Sequence, residues 1–124
     1  MKASWRNGVA WLLAILVGIA IGLAGTAKLT TPDRWDGMFR EFGYPNPELM
    51  VYLTGALELT GGLLLLAPPL APYGAMLVGA VMFAAAASHV VTGIGSPFGP
   101  LVLLLLASVV GYLRWPRRWV PGGA

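Results

Sequence analysis

Long apolar stretches, separated by short polar or proline-rich breaks, dominate the chain and predict helices that cross a membrane. Each of the first three stretches reaches about 20 residues, the length needed to span the hydrocarbon core of a bilayer. Pro68 and Pro69 end the second stretch and the Gly93–Gly95 turn ends the third. The fourth stretch is shorter and is predicted to stand nearly upright. The predicted spans are residues 8–27, 48–67, 72–92 and 97–113.

The connections between these spans predict how the helices are arranged. The second and third connections are tight, so neighbouring helices are predicted to run antiparallel. Asn46 stands just before the second span, where it is expected to act as an N-cap. The sequence therefore predicts an all-α integral membrane protein, a four-transmembrane-helix antiparallel bundle that forms a single domain over residues 1–124.

The first connection is the long one, and it has a helical pattern of its own. Trp35, Met38, Phe39 and Phe42 recur at helical spacing, with acidic and basic residues on the opposite face. This pattern predicts a short amphipathic helix over residues 32–42, lying on the extracytoplasmic surface of the membrane. Such a helix is either a connector that rests on the bilayer or a lid or partner surface.

Composition supports the membrane class and excludes several others. Hydrophobic residues make up 57% of the chain and charged residues 10%, whereas a soluble domain carries about 25% charged residues. The net charge of +3 comes without a basic stripe or binding motif, so no nucleic-acid partner is expected. The absence of cysteine excludes thiolate metal sites and disulfide exchange. With one histidine as well, no metal site is predicted.

The distribution of basic residues predicts the orientation in the membrane. Lys2 and Arg6 precede the first span, and Arg114, Arg117 and Arg118 follow the last. Cytoplasmic flanks carry the excess of lysine and arginine, so both termini are predicted to be cytoplasmic. The expected location is the inner or plasma membrane, with the lipid bilayer as the surrounding partner.

Glu58 is the one formally charged residue between Glu48 and Arg114. A carboxylate at such a position costs several kcal/mol unless it is paired, neutralised or hydrated. Gly55 and Gly62 share its helix face, and small residues allow helices to approach closely in lipid. Glu58 is therefore predicted to face the interior of the bundle.

Lys28, Glu58 and His89 are the candidate site residues because all three fall in the outer half of the predicted bundle. From the helical rise, Glu58 lies about 16 Å below the outer end of its span and His89 about 5 Å below. Desolvation opposes a charged Glu58, which is predicted to be largely protonated unless Lys28 or His89 pairs with it. The arrangement predicts a polar pocket lined by all three, in which Glu58 and His89 exchange protons as the catalytic pair.

Each candidate also has a structural interpretation that the sequence leaves open. Glu58 is then a hydrogen-bonded acid that holds helices together. His89 is an interfacial histidine bonded to a carbonyl, and Lys28 is an anchor that snorkels to the headgroups.

Several short runs, in their order and spacing, resemble the DoxX-like family of small four-helix membrane proteins: AGTAKL (Ala24–Leu29), FGYP (Phe42–Pro45), GALELTGGLLLLAP (Gly55–Pro68) and Ser88-His89. Namesake relatives of this family are associated with a thiosulfate:quinone oxidoreductase. The resemblance implies a membrane subunit of a redox complex. No intrinsic cofactor is expected, and a quinone is the candidate ligand. The resemblance also places a set of residues at the family's characteristic positions, namely Lys28, Glu58, Gly61, Gly62 and His89.

Three classes of function remain open. The first is a redox-associated subunit with a quinone site near Glu58 and His89; since the chain has no metal, flavin or cysteine motif, a partner would supply the electrons. If the chain takes part in catalysis, it is an oxidoreductase subunit and not a self-sufficient enzyme. The second class is a scaffold or assembly factor, and the third a binder of a small lipophilic molecule. A 13.0 kDa bundle has little interior volume, so a protein partner or a homo-oligomer is expected.

Overall fold

The computed structural model describes residues 2–122, and no strand occurs in this part of the chain. The α-helices are α1 (Lys2–Thr30), α2 (Asp36–Glu41), α3 (Pro47–Leu65), α4 (Ala71–Thr92) and α5 (Phe98–Arg114). Single 3-10 turns occupy Pro32–Arg34, Pro68–Leu70 and Arg117–Trp119. The long helices agree with the predicted spans to within a few residues at most ends. Helix α1 starts earlier than its predicted span because no helix breaker separates the polar N-terminal residues from the apolar run.

Three helical segments are long and apolar enough to cross a membrane: Ser4–Thr30, Pro47–Leu65 and Pro68–Thr92. Helix α5 is apolar but shorter. The chain is therefore an all-helical protein with three or four apolar helices compatible with a membrane bundle. Large apolar side chains such as Leu23, Phe83 and Leu105 are exposed on its outside, as a lipid-facing surface requires.

The four long helices form a ring in the order α1, α3, α4, α5, and α5 returns to pack on α1. The tightest approach is between α1 and α3, where Gly18 lies against Gly62 and Gly25 against Gly55. A Cβ atom added to Gly25 would lie 2.6 Å from the Gly55 carbonyl oxygen, so the two backbones are in direct contact. Glycine is what allows this approach.

The interior is filled by medium-sized aliphatic side chains. Val17 and Ile21 of α1, Leu65 of α3, Val78 of α4 and Val110 of α5 are almost completely buried. At the end that holds the start of α1 and the end of α5, Arg114 donates a 2.7 Å hydrogen bond to the side-chain oxygen of Asn7. We call this the terminal end, and the opposite end, which carries residues 31–46, the loop end.

The segment over residues 32–42 is not one continuous helix. A 3-10 turn over Pro32–Arg34 is followed by a single turn residue, Trp35, and then by α2. Phe39 is buried, while Trp35 and Phe42 are half-buried. The expected cap at Asn46 is wrong: its side chain forms no capping hydrogen bond and its φ is 137°.

Candidate functional site

A cavity of about 580 Å³ lies in the loop-end half of the bundle. Residues of α1, α3, α4 and α5 line it, and Phe39 and Phe42 of the loop contribute to its wall at the loop end. Lys28, Glu58 and His89 all belong to the lining. The three residues proposed from the sequence therefore share one cavity, although their chemical roles stay predictions.

Lys28 and Glu58 form a buried ion pair across the α1–α3 contact. The Lys28 Nζ atom lies 2.8 Å from Glu58 Oε1, and the side chains are 9% and 3% exposed. A Cβ atom on Gly55 would lie 2.9 Å from the Lys28 Cβ, so the glycine contact brings the two helices close enough for this pair. The expectation that Lys28 snorkels to the headgroups is wrong, because its side chain points into the bundle.

The pair also settles which group can act as the partner of Glu58. From the sequence, an ionised Glu58 needs either Lys28 or protonated His89 as its partner, and Lys28 is the residue in contact with it. The pair carries no net charge, so its burial avoids most of the cost of an isolated carboxylate. The sequence predicted a largely protonated Glu58 unless Lys28 or His89 paired with it, and the structure shows that Lys28 does.

Trp35 covers the lysine from the loop. The Lys28 Nζ atom lies 4.1 Å from the centre of the Trp35 ring, which is the geometry of a cation–π interaction. Among the described residues, the buried Trp35 Nε1 has no hydrogen-bond partner. Helical spacing places Trp35 on the apolar face of the loop but does not show which residue lies beneath it, so this contact could not be predicted from the sequence.

His89 is held by the turn that follows α4. Its Nδ1 atom lies 2.7 Å from the carbonyl oxygen of Ile94. Gly93 ends α4 with a φ of 70°, a left-handed conformation that favours glycine and turns the chain back toward the imidazole ring of His89. The Phe42 ring contacts the imidazole edge-on, with 5.0 Å between ring centres. The carbonyl-bonded interpretation of His89 is thus confirmed, and the ring still lines the cavity.

Two hydroxyl groups complete this side of the cavity. Tyr44 Oη lies 2.6 Å from Ser88 Oγ, and Ser88 Oγ donates a 2.8 Å hydrogen bond to the carbonyl oxygen of Ala84. Tyr44 also packs against Phe39, with 5.7 Å between ring centres. Both Tyr44 and Ser88 fall within the sequence runs that carry the family resemblance, but nothing in their spacing indicated that they pair.

The site thus has two polar parts on an otherwise apolar wall. One is the Lys28–Glu58 pair with Trp35, and the other is the Tyr44–Ser88–His89 group. In the part of the chain that the structure describes, no hydrogen bond joins Glu58 to His89, and no cluster of side chains suited to a metal ion is found. The arrangement suits a lipophilic molecule with polar groups at its ends.

A protein-family model described as DoxX matches residues 9–92 of the chain. The match spans most of α1 and continues to the end of α4, and it includes Lys28, Glu58 and His89. No curated protein matches the sequence.

Proposed function

The chain belongs to the DoxX family of membrane proteins, and we propose that it binds a lipophilic quinone in the loop-end cavity as the membrane subunit of an oxidoreductase complex. The observation that carries this proposal is the cavity itself, which combines an apolar lining with the buried Lys28–Glu58 pair and with His89. Ligand sites commonly join a mostly apolar wall to a few placed polar groups.

A quinone fits the residues that are present. The volume of about 580 Å³ lies within the range of about 300–1,000 Å³ that is common for ligand cavities. Aromatic side chains from the loop, Phe39 and Phe42 among them, offer flat surfaces to a flat ring. The ammonium of Lys28 and the indole N–H of Trp35 are donors suited to a carbonyl oxygen.

The proposed reaction is the reduction of the quinone to a quinol, which takes up two electrons and two protons. The electrons come from a partner subunit of the oxidoreductase class. The Lys28–Glu58 pair holds exchangeable protons at the cavity wall, and such groups act as general acids when they lie within hydrogen-bond reach of the reacting atom. His89 contributes a base at Nε2, because its Nδ1 hydrogen is bonded to the Ile94 carbonyl.

We also propose how the protein lies in the membrane. Its four long helices are antiparallel spans, both termini are in the cytoplasm, and the loop end with α2 rests at the extracytoplasmic surface. The support is the charge distribution: Arg6, Arg114, Arg117 and Arg118 all lie at the terminal end, and basic residues favour the cytoplasmic flanks.

Single cysteines test this orientation directly, because the natural chain has none. We expect Asp36→Cys to react with a membrane-impermeant maleimide in intact cells. Arg117→Cys should react only after the membrane is permeabilised. Labelling of the cysteine at position 117 in intact cells would contradict the proposed orientation.

A matched pair of phenylalanine substitutions tests ligand binding. Ala85 lines the cavity, whereas Ala56 is exposed on α3 and lies outside the lining. After purification in mild detergent, we expect mass spectrometry to find a quinone bound to the wild type and to Ala56→Phe. Ala85→Phe fills the cavity and should lose the quinone while keeping its helical circular dichroism spectrum.

The same purification distinguishes the other functions. A different lipophilic molecule that Ala85→Phe displaces would contradict the quinone and favour a general lipid carrier. A stoichiometric protein partner with no small molecule in the cavity would favour a scaffold and would overturn the proposed ligand site.

A further inference from the structure

We call the side of the cavity formed by Tyr44, Ser88 and His89 the acceptor wall. All of its hydrogen-bond donors point at protein atoms. A carbonyl oxygen only accepts, so the 2.7 Å contact with Ile94 requires the hydrogen to be on Nδ1 of His89. Ser88 has one hydroxyl hydrogen and donates it to the Ala84 carbonyl. In the 2.6 Å contact with Ser88, Tyr44 must therefore be the donor.

What this wall offers to a ligand follows from that distribution of hydrogens. In the neutral imidazole with Nδ1 protonated, Nε2 carries a lone pair and accepts. Within residues 2–122, no hydrogen bond to His89 Nε2 is found. The Tyr44 oxygen likewise retains a lone pair after its hydrogen is donated to Ser88. The wall presents acceptors and no donor, so it is complementary to a hydroxyl group.

The donors in the opposite part of the cavity do not distinguish the two forms of a quinone. Lys28 and the unpartnered Nε1–H of Trp35 are donors, and they pair equally well with a carbonyl oxygen or with a hydroxyl oxygen. The acceptor wall does distinguish them, because a quinone carbonyl facing Nε2 leaves two acceptors unpaired. A buried acceptor without a donor costs more than a formed hydrogen bond gains.

From this asymmetry we propose that the cavity binds the reduced quinol form of its ligand more tightly than the oxidised quinone, through a ligand hydroxyl that donates to His89 Nε2. This inference rests on the proposed function and adds to it the redox form that the site selects. The preference also raises the reduction potential of the bound couple, because tighter binding of the product favours reduction.

The test compares ubiquinone-1 and ubiquinol-1 as probes of the purified full chain in detergent, under anaerobic conditions, with binding followed by quenching of tryptophan fluorescence. One additional neutral hydrogen bond corresponds to about five- to tenfold in dissociation constant. We expect ubiquinol-1 to bind tighter by this factor in the wild type.

Two substitutions of His89 separate its two nitrogen atoms. His89→Asn keeps an amide donor near the Nδ1 position for the Ile94 carbonyl but places no atom at Nε2, and the preference should fall to about twofold or less. His89→Gln puts an amide oxygen near the Nε2 position and should retain more of the preference. Ser88→Ala provides an independent check, because it frees the Tyr44 hydroxyl hydrogen to meet a carbonyl and should tighten ubiquinone-1 binding.

These measurements separate a failure of this inference from a failure of the proposed quinone site. Equal binding of both forms, or tighter binding of ubiquinone-1, overturns the selection of the quinol and leaves the quinone site standing. An unchanged preference in both His89→Asn and Ser88→Ala overturns the assignment to the acceptor wall. Failure of both probes to bind the wild type overturns the inference together with the quinone site.

Discussion

Replacing Glu58 by leucine while Lys28 is kept is expected to lower the free energy of unfolding by about 3 to 5 kcal/mol. Both residues are buried, at 7% exposure for Lys28 and 2% for Glu58, so the substitution leaves an ammonium group in the bundle without its counter-charge. Lys28→Met should be destabilising for the converse reason. Titration with SDS in mixed micelles, followed by tryptophan fluorescence, measures both changes.

The double variant Lys28→Met/Glu58→Leu is the decisive control. Replacement of a buried ion pair by apolar side chains of similar size is often neutral or stabilising, so we expect the double variant to regain stability to within about 1 kcal/mol of the wild type. If the double variant loses as much stability as the two single variants lose together, Lys28 and Glu58 do not stabilise the protein as a pair. The refolded double variant should still lack the bound quinone if the pair contributes to the ligand site.

The same pair changes what Glu58→Gln is expected to do. The amide preserves hydrogen bonding, so from the sequence a structural Glu58 would tolerate this substitution. With Lys28 in contact at 2.8 Å, glutamine also leaves the lysine charge unpaired, and Glu58→Gln alone should be destabilising. Its effect on activity is therefore best measured in the background of Lys28→Met, in which no unpaired charge is left.

The long helices could be predicted from the sequence because their physical cause is local. An apolar run of sufficient length, ended by Pro68 or by the Gly93–Gly95 turn, is readable residue by residue. The placement of Lys28, Glu58 and His89 toward one end of the bundle followed from the predicted span boundaries and the helical rise. The membership of the chain in the DoxX family, inferred from short runs in order, is confirmed by the match over residues 9–92.

The contacts inside the site could not be predicted, because they depend on side chains that different elements bring together. Trp35 contacts Lys28 from the turn between the 3-10 turn and α2, and helical spacing within the loop does not show this partner. The hydrogen on His89 Nδ1 is fixed by the carbonyl of Ile94, which depends on the left-handed turn at Gly93. Likewise, the sequence does not distinguish the glycines of α1 from one another, whereas the structure does.

Gly25 and Gly22, three residues apart on α1, are expected to respond to alanine in opposite directions. A Cβ atom on Gly25 would lie 2.6 Å from the Gly55 carbonyl oxygen and 2.6 Å from the Leu59 backbone nitrogen. Backbone atoms in a helix cannot shift locally, so α1 and α3 must separate, at a cost of about 3 kcal/mol. A Cβ atom on Gly22 meets no atom within 4 Å, and alanine there should leave stability unchanged or raise it by up to about 1 kcal/mol.

The separation caused by Gly25→Ala should also reach the site. The added Cβ would lie 3.1 Å from the Glu58 Cβ, and Glu58 holds its ion pair with Lys28 across this same contact. We therefore expect Gly25→Ala to lose both stability in the SDS titration and bound quinone in mass spectrometry, whereas Gly22→Ala keeps both. A loss of similar size in the two variants would mean that alanine acts through the helix itself and not through the α1–α3 contact. Wild-type stability in Gly25→Ala would show that α1 and α3 do not approach each other as closely as their glycines allow.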